Sequence, residues 1–174
     1  MCVILAGEQR KLTEQGQAGQ SGESGIAQTQ ENPVSAGQEF RAVWMASVYN
    51  IDLPNQKGLD NQTLKSQIDI AFDLVASMGM NAVVVQVRPS ADALYPSEVF
   101  PWSEWLSGEQ GQAPADGFDP LEYMISSAHQ RGLQFHAWVN PYRITAGSKS
   151  NVRHDLETLS ENHPARQHPE YTVA

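Results

Sequence analysis

Of 174 residues only Cys2 is a cysteine, so no disulfide can close within the chain, and cysteine usage says nothing of the redox compartment. Basic residues are scarce too. Eleven Lys and Arg stand against 20 Asp and Glu, a formal net charge of −9, and no basic cluster occurs. The electrostatic footprint of a nucleic-acid or anionic-membrane partner is therefore missing. Long apolar runs are absent as well. The stub Met1–Gly7 (MCVILAG) is too short to span a membrane and reads either as the end of an export signal or as a miscalled start. The first of these readings implies an exported protein of the envelope or exterior. From Glu8 to Glu39 large apolar side chains nearly vanish and Gln, Gly, Ser and Glu dominate. Such a stretch cannot bury enough surface to offset its ordering entropy. Residues 1–39 are therefore expected to be a disordered leader or linker, serving as a tether or as a tail without a role.

At Phe40 the character changes, and a strand, loop, helix pattern begins. Arg41–Val48 (RAVWMASV) is an apolar run suited to a buried strand. Leu64, Ile68, Ala71, Val75 and Met78 recur at helical spacing over Asn61–Met78, with Asp60 or Asn61 as cap and Gly79 beyond the end. Asn81–Val87 (NAVVVQV) is the β-branched run of a parallel strand covered on both faces. Asp119-Pro120 opens a second helix that Arg131-Gly132 closes, and Leu133–Val139 (LQFHAWV) is the third strand. One helix between successive strands is the βαβ arrangement.

The turns from helix to strand are short, whereas the loops after the strands are long. In a (β/α) barrel the latter build the active face. Pro89–Phe118 is the extreme case, a loop with no regular structure in its pattern that carries Tyr95, Trp102 and Trp105. Polar residues cluster where strands end: Asn50 and Asp52, then Gln86 and Arg88, then His136 and Asn140. They are either a ligand site or a satisfied polar network. Trp44, Tyr49, Tyr95, Trp102, Trp105, Trp138 and Tyr142 accompany them. Sugars offer C–H faces that stack on rings and hydroxyl edges that bond to amides, Asp, Arg and His, so the mixture suits a glycan. Trp102 and Trp105 are expected to stand exposed above the strand ends, while Trp44 and Trp138 lie within strands and can be core.

Several motifs occur together in order: Arg41-Ala42-Val43-Trp44, Gln86-Val87-Arg88-Pro89, Asp92-Ala93-Leu94-Tyr95, Pro101-Trp102-Ser103, Gly117-Phe118-Asp119-Pro120-Leu121, Ala128-His129-Gln130-Arg131-Gly132 and His136-Ala137-Trp138-Val139-Asn140-Pro141-Tyr142-Arg143. From about Phe40 onward the chain resembles the glycosyl-hydrolase-like family 10 proteins, bacterial envelope enzymes, one branch of which cleaves peptidoglycan glycan strands stripped of their peptides. The resemblance implies an α/β fold: residues 40–174 as the N-terminal part, about three β/α units, of a (β/α)8 barrel cut before strand four. It implies substrate contacts from Gln86, Arg88, Asp92, Tyr95, His136, Trp138, Asn140, Tyr142 and Arg143; Trp102, from its place in the long loop, is expected to contact glycan too, and no cofactor is expected.

Glycoside hydrolysis normally needs two carboxylates. The family's acidic strand-four segment is not found in this chain, so the catalytic acids are expected beyond Ala174 and the chain alone is expected to be inactive. Asp52 and Asp92 are the acids nearest the motifs. The scattered histidines form no two-His strand motif, so no metal is expected. The competing reading is a non-catalytic glycan-binding module, which would use the same aromatics and amides without acids.

Overall fold

The computed structural model of the chain describes residues 2–6, 39–146 and 156–172. Strand β1, Cys2–Ala6, lies antiparallel to β2, Phe40–Met45, with Cys2 level with Trp44 and Ala6 with Phe40. The stub expected to belong to a disordered leader is thus a strand, while residues 7–38, the bulk of that leader, lie outside the described residues. The other strands are parallel. β2 pairs with β3, Ala82–Arg88, and β3 with β4, Gln134–Val139, in the sheet order β1-β2-β3-β4. What is described is a partial α/β domain with a small three-stranded parallel sheet, not a closed barrel.

Alternation along the strands sorts their side chains. Val43, Met45, Val83, Val85 and Val87 face the helices and are buried in one apolar cluster. Helix α1, Asn61–Ser77, brings Leu64, Ile68, Phe72 and Val75 to that cluster at the spacing of one helical face, and helix α3, Pro120–Gln130, adds Met124 and Ala128. Both helices start on side-chain caps. Asp60 accepts from Thr63 N–H at 2.9 Å, and Asp119 accepts from Leu121 N–H at 2.9 Å with Pro120 in the first turn. Each cap contributes about 1 kcal/mol. Both helices also end before a glycine in the left-handed region, Gly79 at φ +73° and Gly132 at φ +69°, where another residue would be strained. The two helices are tied side by side by Asp69, which accepts from Tyr123 Oη at 2.8 Å and Ser127 Oγ at 2.7 Å, and by Arg131 on Asp73 at 2.7 Å.

The long segment between β3 and α3 departs from expectation, because it is not structureless. Its backbone folds on itself through Ala93 N–H to Pro101 O (2.9 Å), Ser103 N–H to Ala93 O (2.8 Å) and Gly111 N–H to Trp102 O (2.8 Å), and a short helix α2 forms at Glu104–Ser107. Leu94, Trp105 and Leu106 are buried. These apolar anchors, invisible to periodicity because they are isolated in sequence, stabilise a segment that its Gly, Pro and Ser content made look open.

Phe72 has no exposed surface and sits at the centre of the cluster between sheet and helices. Phe72→Ala should lower the unfolding free energy by roughly 3–5 kcal/mol, a large share of a typical domain's stability. Chemical denaturation of the protein and the variant checks this. A loss under about 1 kcal/mol would mean that the cluster is not closely packed.

Candidate functional site

Parallel strands bring their C-terminal ends to one side, and here that side is stitched together by two side-chain amides. Gln86, fully buried near the end of β3, accepts the backbone N–H groups of both Ser47 (3.1 Å) and Val48 (3.1 Å) on its Oε1. The chain leaving β2 is thereby held against β3. Asn140, just past β4, does the same for the other neighbour. Its Nδ2 donates to Pro89 O (2.9 Å), its backbone N–H to Arg88 O (2.9 Å), and its Oδ1 accepts from Trp138 Nε1 (2.9 Å). Both amides act first as structure, although the sequence singled them out as substrate contacts. Among the described residues Gln86 Nε2, itself buried, meets no acceptor.

Next to these clamps stands an aromatic surface on the face of the sheet away from the helices. Trp44 and Trp138 meet edge to face with ring centroids 5.1 Å apart, and both are half-buried. Trp138 lies level with Gln86 across the β3–β4 ladder. Between Gln86 and Arg88 the ladder slips by one residue, a bulge of the kind that re-aims side chains near active sites. After it, the Arg88 guanidinium lies over the Phe100 ring, 4.5 Å from its centroid. The exit from β2 is strained as well. Tyr49 (φ 57°) and Asn50 (φ 51°) are successive non-glycine residues in the left-handed region. Asn50 holds this turn by donating to Pro54 O (3.0 Å) and Trp105 O (2.8 Å), and the Tyr49 ring packs tilted against Trp105 with centroids 5.0 Å apart. Such strain persists only where surroundings enforce it, and it clusters at functional sites.

The structure therefore brings Gln86, Arg88, Trp138 and Asn140 together, with Trp44 beside them. The other expected residues have different surroundings. His136 sits two residues deeper on β4, edge to face with Phe40 at 5.3 Å, not at the strand end. Tyr95 and Trp102 are half-buried and pack on the apolar cluster. Tyr142, at 92% exposure, and Arg143 lie out in solvent beyond β4. Trp105, expected to stand exposed, is instead 8% exposed, clamped by Tyr49 and by Lys57 at 4.2 Å, and is a packing residue.

One residue escaped the sequence reading. His163, one of the scattered histidines, lies in the polar C-terminal region yet is fully buried: its Nδ1 accepts from Ala165 N–H at 3.1 Å, and it caps the short helix α4, Pro164–Gln167. Burial holds its imidazole below the ordinary value. The signal that could have found it was the His-Pro pair, a cap followed by a first-turn proline. Among the described residues no three His, Cys, Asp or Glu side chains converge as metal ligands.

Comparison with known proteins follows from these motifs. The family model described as glycosyl hydrolase-like 10 matches residues 39–174. The chain is similar to "Glycosyl hydrolase YngK" of Bacillus subtilis (strain 168), 53% identical over 137 residues that cover 79% of this chain and 26% of that protein. It is also similar to "Glycosyl hydrolase DigH" of Escherichia coli (strain K12), 34% identical over 137 residues, with 75% of this chain and 31% of that protein covered. The chain thus spans between a quarter and a third of the curated relatives it matches. An alpha-L-fucosidase structure from Bacteroides thetaiotaomicron aligns at a TM-score of 0.35 and 13% identity over 75% of this chain and 36% of that one, a likeness too low to carry any argument.

The acids near the strand ends are tied to the backbone. Asp52 Oδ2 accepts from Ala46 N–H at 2.9 Å. Asp92, 1% exposed, accepts from Ser90 N–H at 2.9 Å. Burial raises the Asp92 carboxyl above its ordinary value, more than its hydrogen bonds to Ser103 and Ser90 lower it. With the folded pKa above the unfolded one, the group favours folding most at pH below 3.8, and that contribution is lost as pH rises through the folded value. Asp92→Asn keeps an acceptor for Ser90 and never ionises. Its stability relative to the parent should therefore increase between pH 3.5 and pH 7, in urea titrations run at about those two values. Asp92→Ala should lose about 1–3 kcal/mol at pH 3.5, because it leaves Ser90 N–H unpaired, and less at pH 7, where the parent also bears the cost of the ionised carboxyl. A pH-independent difference between Asn variant and parent would contradict the burial argument.

Proposed function

The chain belongs to the glycosyl hydrolase-like 10 family, and from that premise we propose that it forms the N-terminal part of a (β/α)8-barrel glycosidase acting on a bacterial envelope polysaccharide. The observation that carries the reading is the grouping of Gln86, Arg88, Trp44, Trp138 and Asn140 at and beside one end of the parallel strands, since that end is where barrels of this kind place their sites. Half-buried tryptophan faces with amide and guanidinium donors around them are the chemistry of a sugar subsite. Peptidoglycan strands freed of peptide are the proposed substrate, and export to the envelope is the proposed location. Among the described residues no helix is long and apolar enough to cross a membrane.

The reaction itself needs a proton donor and a nucleophile or base, both normally carboxyl groups. Asp52 and Asp92 are engaged with the backbone of their own loops. We assign both catalytic roles to carboxylates supplied by sequence following these three strands in the longer relatives. The residues described here bind and orient the sugar. On this account the 174-residue chain alone does not cleave glycan.

The test uses the full-length protein and peptide-free peptidoglycan strands, with saccharide release followed by chromatography. The expected result is cleavage by the full-length protein, none by residues 1–174, and a loss of roughly 1–3 kcal/mol in glycan binding on Trp138→Ala. Binding without cleavage by the full-length protein would favour a non-catalytic glycan-binding module instead. Neither binding nor cleavage would reject the assignment of this face.

A further inference from the structure

The segment Leu159–His168, which comes after the three parallel strands in sequence, is docked on the long loop that leaves β3. Ser160 N–H donates to Gln110 Oε1 at 2.9 Å, and Gly111 stands so close that a Cβ there would lie 3.5 Å from Ser160 Cβ. Leu159 and Ala165 are buried. Loop and segment enclose a hollow of about 390 Å³, with Val99 and Phe100 on one wall and Asn162, Pro164 and His168 on the other. Phe100 is also the ring over which the Arg88 guanidinium lies. The docked segment thus backs the part of the loop that meets the strand-end group.

At the centre of this contact is His163, with no exposed surface and with the Ser90 backbone beside its ring. Its Nδ1 accepts from Ala165 N–H at 3.1 Å, so the ring is neutral and carries its proton on Nε2, which has no hydrogen-bond partner among the described residues. Protonation would put a second N–H on Nδ1, facing the N–H of Ala165. The cap would be lost and a charge would stand buried. The titratable groups nearby are otherwise engaged or point to water. Asp92 on the loop accepts from Ser90 N–H, Arg166 donates to Leu159 O, His168 pairs with Glu170, and Glu98 and Glu161 are exposed. We propose that His163 is a pH-sensitive latch: its neutral ring holds Leu159–His168 on the loop leaving β3 and so keeps the shape of the strand-end face, and its protonation lets the segment go. The link to glycan binding rests on the proposed function; the latch itself does not. Burial holds the imidazole below its ordinary value, and the nearby Ser90 backbone opposes this more weakly. The docked form is therefore fully favoured above pH 6.5 and loses that advantage as pH falls below it. One proton changes the docked-to-undocked ratio by at most about tenfold per pH unit. Asp92 acts with the opposite sign, and comparison with a variant at position 163 cancels its share.

The experiment is hydrogen-exchange mass spectrometry on the full-length protein at about pH 7 and pH 5.5, with and without peptide-free peptidoglycan strands at about ten times their dissociation constant. After correction for the slower chemical exchange at the lower pH, opening of both 89–103 and 159–168 should rise in the parent at pH 5.5, by up to about tenfold. His163→Asn keeps a side-chain acceptor for Ala165 N–H and does not titrate, so its opening should be the same at both pH values. Glycan that binds the docked face should suppress the opening at pH 5.5 by about tenfold at that concentration. Opening of the parent that is equal at the two pH values would overturn the latch whether or not the variant folds. So would an equal rise in His163→Asn, or a rise confined to 159–168 with 89–103 unchanged. Strands that bind without suppressing the opening would overturn the link to the strand-end face. Strands that do not bind at all would reject the glycan reading while leaving the latch standing.

Discussion

Two backbone N–H groups, those of Ser47 and Val48, end on the single side-chain oxygen of Gln86, and the layout of the whole strand-end face follows from that contact. The chain leaving β2 would otherwise be free to turn outward. Held at β3, it passes through the left-handed residues Tyr49 and Asn50, whose side chains then reach Trp105. Trp105 in turn fixes α2 and the long segment between β3 and α3. A buried amide of this kind is costly to lose, because each orphaned N–H costs about 1–3 kcal/mol, so the clamp also sets a large part of the local stability.

On the other side of β3 Asn140 repeats the device with the opposite polarity, donating to Pro89 O while accepting from Trp138. The two amides lock the ends of three strands into one register and leave an aromatic pair, Trp44 and Trp138, beside them. The division of labour is physical. Residues whose polar atoms are consumed by the backbone build the face, and the half-buried rings of Trp44 and Trp138 keep part of their surface open beside them.

Much of the fold was legible in the sequence, because its signals are local. The β-branched run ending at Gln86 and Arg88, the caps Asp60 and Asp119, and the glycines at 79 and 132 place three strands and two helices to within a residue or two at most boundaries. The site was legible only as a list. Which polar residue is a clamp and which is free depends on contacts 39 or 51 residues apart in the chain, as for Ser47 with Gln86 and Pro89 with Asn140, and no periodicity encodes those. Trp105 misled for the same reason: its burial comes from Tyr49 and Lys57, far away in sequence. His163 was hidden by polar neighbours although its side chain is fully buried. Antiparallel pairing of Cys2–Ala6 with β2 could not be read from five apolar residues that equally resemble an export signal.

The C-terminal ends of β2, β3 and β4 are the proposed glycan-binding face. A crystal structure of the full-length protein with a peptide-free glycan fragment tests it most directly. A sugar ring should stack on Trp44 or Trp138, with polar atoms of the ligand within hydrogen-bonding distance of Arg88. A glycan bound at the opposite end of the strands, near Asn81 and Gly132, with the Trp44 and Trp138 faces empty, would contradict it.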